Sequence, residues 1–407
     1  MPLYNFTEVT VRGMLSQQAP DWGGVVVASA AKYLGFYVGP GRDTSSWQAP
    51  LKKYLDRAKL WGKLGVGFFL TLQAYQVYVS SVLQFVAQLE ELPQDFPDYE
   101  RKAAQALFPG PTGWMTPGCL KDLRYLKLPS ALTDVAAIAP AAKARVVRFE
   151  NAADGGLEIQ ARAHRLRGLH HDDDCSFAHV DWCRSWAKRS FLINLSTAHT
   201  DFHHKLRGRE EAVGDLQKRE GWQSRVAKVF TSVPIGQSTI HLRRRLDRWK
   251  LLTLPGHRVG KVQRVLEVLS RLPTPRVQAA YLRMVCNGWC TKRRYQQRAF
   301  CFFGCGEGED SLEHMATCWK VGELFSTHLG LHAARGQGAL DEFLCMTTNS
   351  DPMLTGGFSS QQFESYLVRR ALGCYAVYRI YNGMRYGNFQ TQEVSGAFER
   401  LIREGAR

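Results

Sequence analysis

Hydrophobic and polar positions alternate convincingly only near the start of the chain. Lys32-Tyr33-Leu34-Gly35-Phe36-Tyr37-Val38 changes sides around a glycine, and Val25-Val26-Val27 follows a Trp-Gly-Gly turn. The spacing predicts a β-hairpin or small sheet that Gly39-Pro40-Gly41 ends. From Ser45 onward the repeat lengthens to three and four residues, the period of a helix. Ser45 or Ser46 can cap a helix reaching Trp61, with Leu51, Tyr54, Leu55, Ala58 and Trp61 on one side. Between Leu64 and Leu89 no charged residue occurs, yet Gln73, Gln76, Ser80, Gln84 and Gln88 recur at helical steps. That polar stripe predicts an amphipathic helix buried on most of its circumference, since a lipid-facing helix gains nothing from it.

Prolines 93, 97, 109, 111 and 117 then punctuate short helices. Leu120 to about Ala163 reads as two helices parted near Ala153-Asp154-Gly155-Gly156. Helical periodicity returns over Leu242–Leu252 and Val259–Leu272, and from Pro273-Thr274-Pro275 toward Trp289. Phe363 to about Tyr386 predicts a long helix, with a short one near the end. No internal repeat or low-complexity tract interrupts the series. The expected fold is mostly α with a small N-terminal β-hairpin. It divides into a β element (1–44), a helical region (45–128), a helical, basic linker region (129–272), a basic helix with a cysteine cluster (273–320) and C-terminal helices (321–407).

Composition narrows the function. At 407 residues, 45% hydrophobic and 11% aromatic, the chain has enough apolar surface to fold and is not wholesale disordered. Lys plus Arg number 53 against 37 Asp plus Glu, a net charge of +16. Residues 201–300 alone hold 22 basic and 7 acidic side chains, so one segment carries nearly all of the surplus. A localised block of this kind points to a polyanion, nucleic acid before membrane. Ten cysteines are too few for a disulfide scaffold in a chain this long. Their grouping suits metal ligation in a reducing compartment. The first ten residues lack a basic and apolar leader, so no secretory signal is expected. The expected location is intracellular, nuclear or nucleocytoplasmic, with no membrane partner.

The strongest motif is Cys301-x3-Cys305-x8-His314-x3-Cys318. Two close-spaced pairs supply the four N or S donors of a tetrahedral structural Zn²⁺ with little loop-closure cost. Phe302-Phe303-Gly304 lets the first pair turn tightly. Asp310 to His314 reads as a helix start, presenting His314 and Cys318 one turn apart on a face. Cys286 and Cys290 form a second pair, but in the helical, apolar YLRMVCNGWC they read as buried thiols. Arg243, Arg244, Arg245, Arg248 and Lys250 form one candidate nucleic-acid contact and Lys292, Arg293, Arg294 and Arg298 another. Tyr295 and Phe300 are available to stack on bases. Against this stands the blander reading of a solvated helix face on an α-helical zinc scaffold. His170-His171-Asp172-Asp173-Asp174 with His179 offers metal-ligand chemistry, the basis of an alternative nuclease or polymerase reading. It lacks the apolar strand that would hold paired aspartates, and reads as a solvent loop. Neither a G-x-x-x-x-G-K-[ST] loop nor a G-x-S-x-G elbow occurs.

Taken in order, these parts resemble a family. Ala31-Lys32-Tyr33-Leu34-Gly35-Phe36-Tyr37-Val38-Gly39-Pro40 with Trp47 is similar to the element after the catalytic hairpin in reverse transcriptases of non-LTR (LINE-type) retrotransposons. Tyr75 to Leu89, Leu107-Phe108-Pro109-Gly110-Pro111 and Trp114 resemble their thumb. Asn287-Gly288-Trp289-Cys290-Thr291-Lys292-Arg293-Arg294 and the Cys-Cys-His-Cys motif resemble their C-terminal zinc knuckle, here with three residues rather than four between His314 and Cys318. The resemblance implies the C-terminal portion of such an enzyme: palm edge, thumb and knuckle, binding RNA or DNA. The family's catalytic carboxylates precede its Tyr-Leu-Gly element, where this sequence has only Glu8 and Asp21. No polymerase activity is therefore expected from the chain alone, and a separate catalytic reverse-transcriptase chain is an expected partner.

Overall fold

The structure is a computed structural model describing residues 8–28, 30–38, 43–111, 113–150, 236–332, 336–347 and 359–406, with Ala227. The His170–Asp174 run, His179 and the helix expected after residue 150 lie outside the described residues. In chain order the elements are α1 (Glu8–Gln18), the strands β1 (Ala31–Tyr33) and β2 (Phe36–Val38), α2 (Ser45–Lys63), α3 (Phe68–Ala74), α4 (Gln84–Leu89), α5 (Phe96–Leu107), α6 (Pro117–Lys121) and α7 (Val135–Glu150). The series continues with α8 (Gln237–Leu246), α9 (Pro255–Leu269), α10 (Arg276–Val285), α11 (Leu312–Thr317), α12 (Trp319–Leu329), α13 (Ala339–Phe343), α14 (Ser360–Arg385) and α15 (Val394–Ala406). The protein is mostly helical with one small antiparallel hairpin, as the hydrophobic pattern predicts. Two compact units form, each from separate stretches. The first draws on Met1–Arg57, Gln76–Glu100 and Thr133–Ser232, the second on Ala58–Tyr75, Arg101–Leu132 and Val233–Arg407.

In the first unit β1 pairs β2 with Tyr33 opposite Phe36. The two-residue turn has φ of 47° at Leu34 and 97° at Gly35, the positive pair that matches strand twist and that glycine makes cheap. The Tyr37 amide donates to Ser46 Oγ at 2.8 Å, and that hydroxyl donates to Glu90 Oε1 at 2.7 Å, fastening the hairpin to α2. Val25–Val27 is not a strand, and Val26 is 83% exposed. Among the described residues no strand pairs with it, so its β propensity finds no ladder there. The pattern gave no sign of α1, which buries none of its residues.

The uncharged Leu64–Leu89 stretch is helical but not uniformly α. Between α3 and α4 lie a π turn (Tyr75–Val79) and a 3₁₀ turn (Ser80–Leu83). Gln73 and Gln76 face solvent, but Ser80 is buried and donates back to the Gln76 carbonyl at 3.1 Å. Within the wide turn Tyr78, which α periodicity places away from the glutamine stripe, is exposed. No helix of the described residues is long and apolar enough to cross a membrane.

Two other boundaries moved. Helix does not run on from Leu120: α6 stops at Lys121 and α7 begins only at Val135. The helix expected over Leu242–Leu252 stops at Leu246 because the next residues find other partners. Asp341 accepts from the Leu252 and Thr253 amides at 3.0 and 2.9 Å, while Arg258 donates to the Thr253 carbonyl at 2.9 Å. In the second unit α14 is the central helix. It packs against α9, α10, α12 and α15 and buries Phe363, Leu367, Leu372, Tyr375, Ile380 and Tyr381. Tyr281 of α10 donates to the Leu344 carbonyl at 3.0 Å, so its buried hydroxyl is satisfied.

Candidate metal centre and basic surface

Cys301, Cys305, His314 and Cys318 converge: their ligand atoms all lie within 4.8 Å of one another. Cys301 Sγ is 3.9 Å from Cys318 Sγ, and Cys305 Sγ is 3.2 Å from His314 Nε2. A tetrahedral Zn²⁺ with ordinary bond lengths sets S···S near about 3.8 Å and S···N near about 3.6 Å. The residues present therefore fit a metal ion. The three thiols are buried and the imidazole half-buried.

Local structure explains the convergence. Gly304, Gly306 and Gly308 adopt φ of 68°, 75° and 74°, curling the chain between the first cysteine pair and the helix that follows. The Glu307 amide donates to Cys305 Sγ at 3.4 Å. Ser311 caps α11, its hydroxyl accepting from the His314 amide at 3.1 Å. Cys318 departs from expectation. With φ −63° and ψ 122° it is extended, ending α11 and opening α12. Its pKa is drawn down to about 5, chiefly by the hydrogen bond with Cys301 and then by the Val321 amide. The same Cys301 contact, with burial, pushes the Cys301 thiol up. Cys286 and Cys290 stay outside the cluster. Cys286 is fully buried and pushed up to about 12 by burial. Half-buried Cys290 accepts from Tyr295 Oη at 3.5 Å.

Asp310 is the residue whose role sequence reasoning missed. It is 1% exposed, and its Oδ2 accepts from the Lys292 amide at 2.8 Å and Tyr381 Oη at 2.9 Å. Its carbonyl takes the Arg293 amide at 3.3 Å. One carboxylate thus ties the basic 292–294 turn and α14 to the residue that precedes the Ser311 cap. Burial raises its pKa, opposed by those two hydrogen bonds. Its position immediately before the cap was the available signal.

The basic candidates divide by exposure. Arg243, Arg244, Arg248, Lys250, Arg293 and Arg298 are exposed, Lys292 and Arg294 half-buried. Tyr295 and Phe300 are exposed at 46% and 81%. Arg245 does not lie on a solvated face: it is 8% exposed. Helix α8 is oriented by Asp122, whose Oδ2 accepts from the Gly236 and Ser238 amides at 3.0 Å each. That carboxylate at the N-terminus and the arginines in the last turn both complement the helix dipole. His241 Nε2 lies 2.9 Å from the Trp114 carbonyl. Burial lowers the His241 pKa, and Arg245, Arg244 and Arg248 add to the effect against that hydrogen bond. Over residues 236–300 there are 15 Lys/Arg and only 2 Asp/Glu. Compared with known proteins, the chain matches no family model, no curated protein and no solved structure.

Proposed function

We propose that this chain binds RNA or DNA through its basic 236–300 segment and carries one structural Zn²⁺ on Cys301, Cys305, His314 and Cys318. The observation that carries this reading is the near absence of acidic residues, 2 against 15 Lys/Arg, within the folded 236–300 segment that leads directly into the metal cluster. Three thiolates and one imidazole are a closed structural set with no open position for chemistry. Asp310 joins the basic turn to the knuckle, so loading the metal orders groups that meet phosphate. The resemblance to the C-terminal portion of a LINE-type reverse transcriptase supports the same reading, with a nuclear site of action and a separate catalytic chain as partner.

Metal content and nucleic-acid binding across a salt series test it together. The expected result is one zinc per chain, lost in a Cys301→Ser/Cys305→Ser variant, and an affinity for oligonucleotides that falls steeply with salt as counterions are released. Zinc without salt-dependent binding would leave a structural scaffold and refute the nucleic-acid reading.

A further inference from the structure

Buried charges in proteins are normally paired, because an unpaired one forfeits its hydration without return. Arg245 breaks that rule. It is 8% exposed, and among the described residues its guanidinium has no ion pair and no hydrogen bond. Its charged neighbours are Arg294 and Arg248, both positive, and the burial that lowers its pKa is reinforced by them. The groups that could offset it are the thiols of Cys286 and Cys119. Both are raised by burial, so they remain neutral at pH 7. Arg294 repeats the pattern: half-buried, next to Arg248, and unmatched by any carboxylate among the described residues.

The three arginines come from two distant stretches, Arg245 with Arg248 and Arg294 alone, and are held in place. Arg245 stands in the last turn of α8, whose other end is capped by Asp122. Arg248 follows three residues later, close to one helical turn around. Arg294 sits in the 3₁₀ turn Arg293–Tyr295, pinned by Asp310. Gly113 supplies the remaining wall: a Cβ there would come within 3.1 Å of Arg245 Nη2, and its φ of +70° disfavours any side chain.

We infer that Arg245, Arg248 and Arg294 form one binding site for a phosphate group, whose negative charge supplies the missing partner. Guanidinium forks suit phosphate oxygens bidentately, and three of them around one group leave few oxygens unmet. The inference rests on the nucleic-acid reading in assigning that group to a backbone phosphodiester. A free phosphate compound offers the same chemistry.

The test uses the full zinc-loaded chain and the variants Arg245→Met, Arg294→Gln and the triple replacement with Arg248→Gln. Inorganic phosphate and pyrophosphate are compared with chloride at equal ionic strength by thermal unfolding, and an oligonucleotide is titrated across a salt series. Phosphate is expected to stabilise the wild type and not the variants, and each single change to weaken the oligonucleotide about tenfold. Removing all three should cut the salt slope by about 0.9 on duplex or about 0.7 on single strands, one phosphate's worth. A loss near about 2.7 on duplex means three separate contacts and overturns the convergence. A phosphate response lost in the variants with oligonucleotide affinity unchanged supports the site and assigns it to a free phosphate compound. Oligonucleotide binding that no variant alters, with no phosphate response, overturns the inference while the nucleic-acid reading stands. Without phosphate, Arg245→Met should be at least as stable as the wild type. A markedly lower melting temperature with the phosphate response intact would make Arg245 a structural residue and overturn its role.

Discussion

The knuckle can be tested through two glycines that differ in one respect. Gly306 and Gly308 share nearly the same backbone, φ of 75° and 74°. A Cβ on Gly306 meets nothing within 4 Å, whereas one on Gly308 falls 2.2 Å from His314 Nδ1 and 2.6 Å from Cε1. Gly306→Ala therefore carries backbone strain alone, about 1–2 kcal/mol. If metal binding and knuckle folding are one equilibrium, that strain appears as roughly 5- to 30-fold weaker zinc. Gly308→Ala carries the same strain and in addition drives the imidazole back by about 1.3 Å to restore ordinary contact. A Zn–N bond of about 2.0 Å does not survive that displacement, so zinc affinity should fall more than about 100-fold. Competition against a chromophoric chelator at pH 7 measures both variants, and the Co²⁺ spectrum reports whether the fourth ligand remains. Equal losses for the two alanines, within about threefold, with an unchanged Co²⁺ spectrum, would refute the reasoning.

Other expectations concern the second unit. Arg370, 2% exposed, pairs with Glu342 and lies over the rings of Phe325 and Tyr366. Glu342→Ala strands that charge and should cost about 3–5 kcal/mol in denaturant unfolding, while Arg370→Met/Glu342→Leu recovers most of it. In α14, Gly373→Ala puts a Cβ 2.6 Å from Phe325 Cζ and should destabilise by about 1–3 kcal/mol through overpacking. Gly396 of α15 faces open space, so Gly396→Ala should raise stability by up to about 1 kcal/mol in the same assay. His241 has a folded pKa below its ordinary 6.5, lowered first by burial. Below pH 6.5 the unfolded chain takes up its proton more readily, so this contribution is present above 6.5 and lost as pH falls through the folded value. The difference in stability between wild type and His241→Gln should shrink over that window, and a flat difference would refute the assignment.

Periodicity made the fold class legible. The hairpin around Gly35, the Ser45 start of α2, the long α14 and the cysteine-histidine spacing all follow from residues near each other in sequence, whose geometry is a local matter. The π turn at Tyr75–Val79 was invisible because a single extra residue in a turn leaves no compositional mark. Val25–Val27 failed as a strand because a ladder needs a partner that the strand's own sequence does not supply. The site divides in the same way. Its four candidate metal ligands were evident from spacing, and the basic clusters from charge. Only tertiary structure buried Arg245, brought Arg294 beside it from the far side of two helices, and made Asp310 the tie between the basic turn and the knuckle. Charge counts along a sequence register every arginine alike. Desolvation and the distance to a counter-charge, which decide whether an arginine merely solvates a helix or waits for an anion, exist only once the chain is folded.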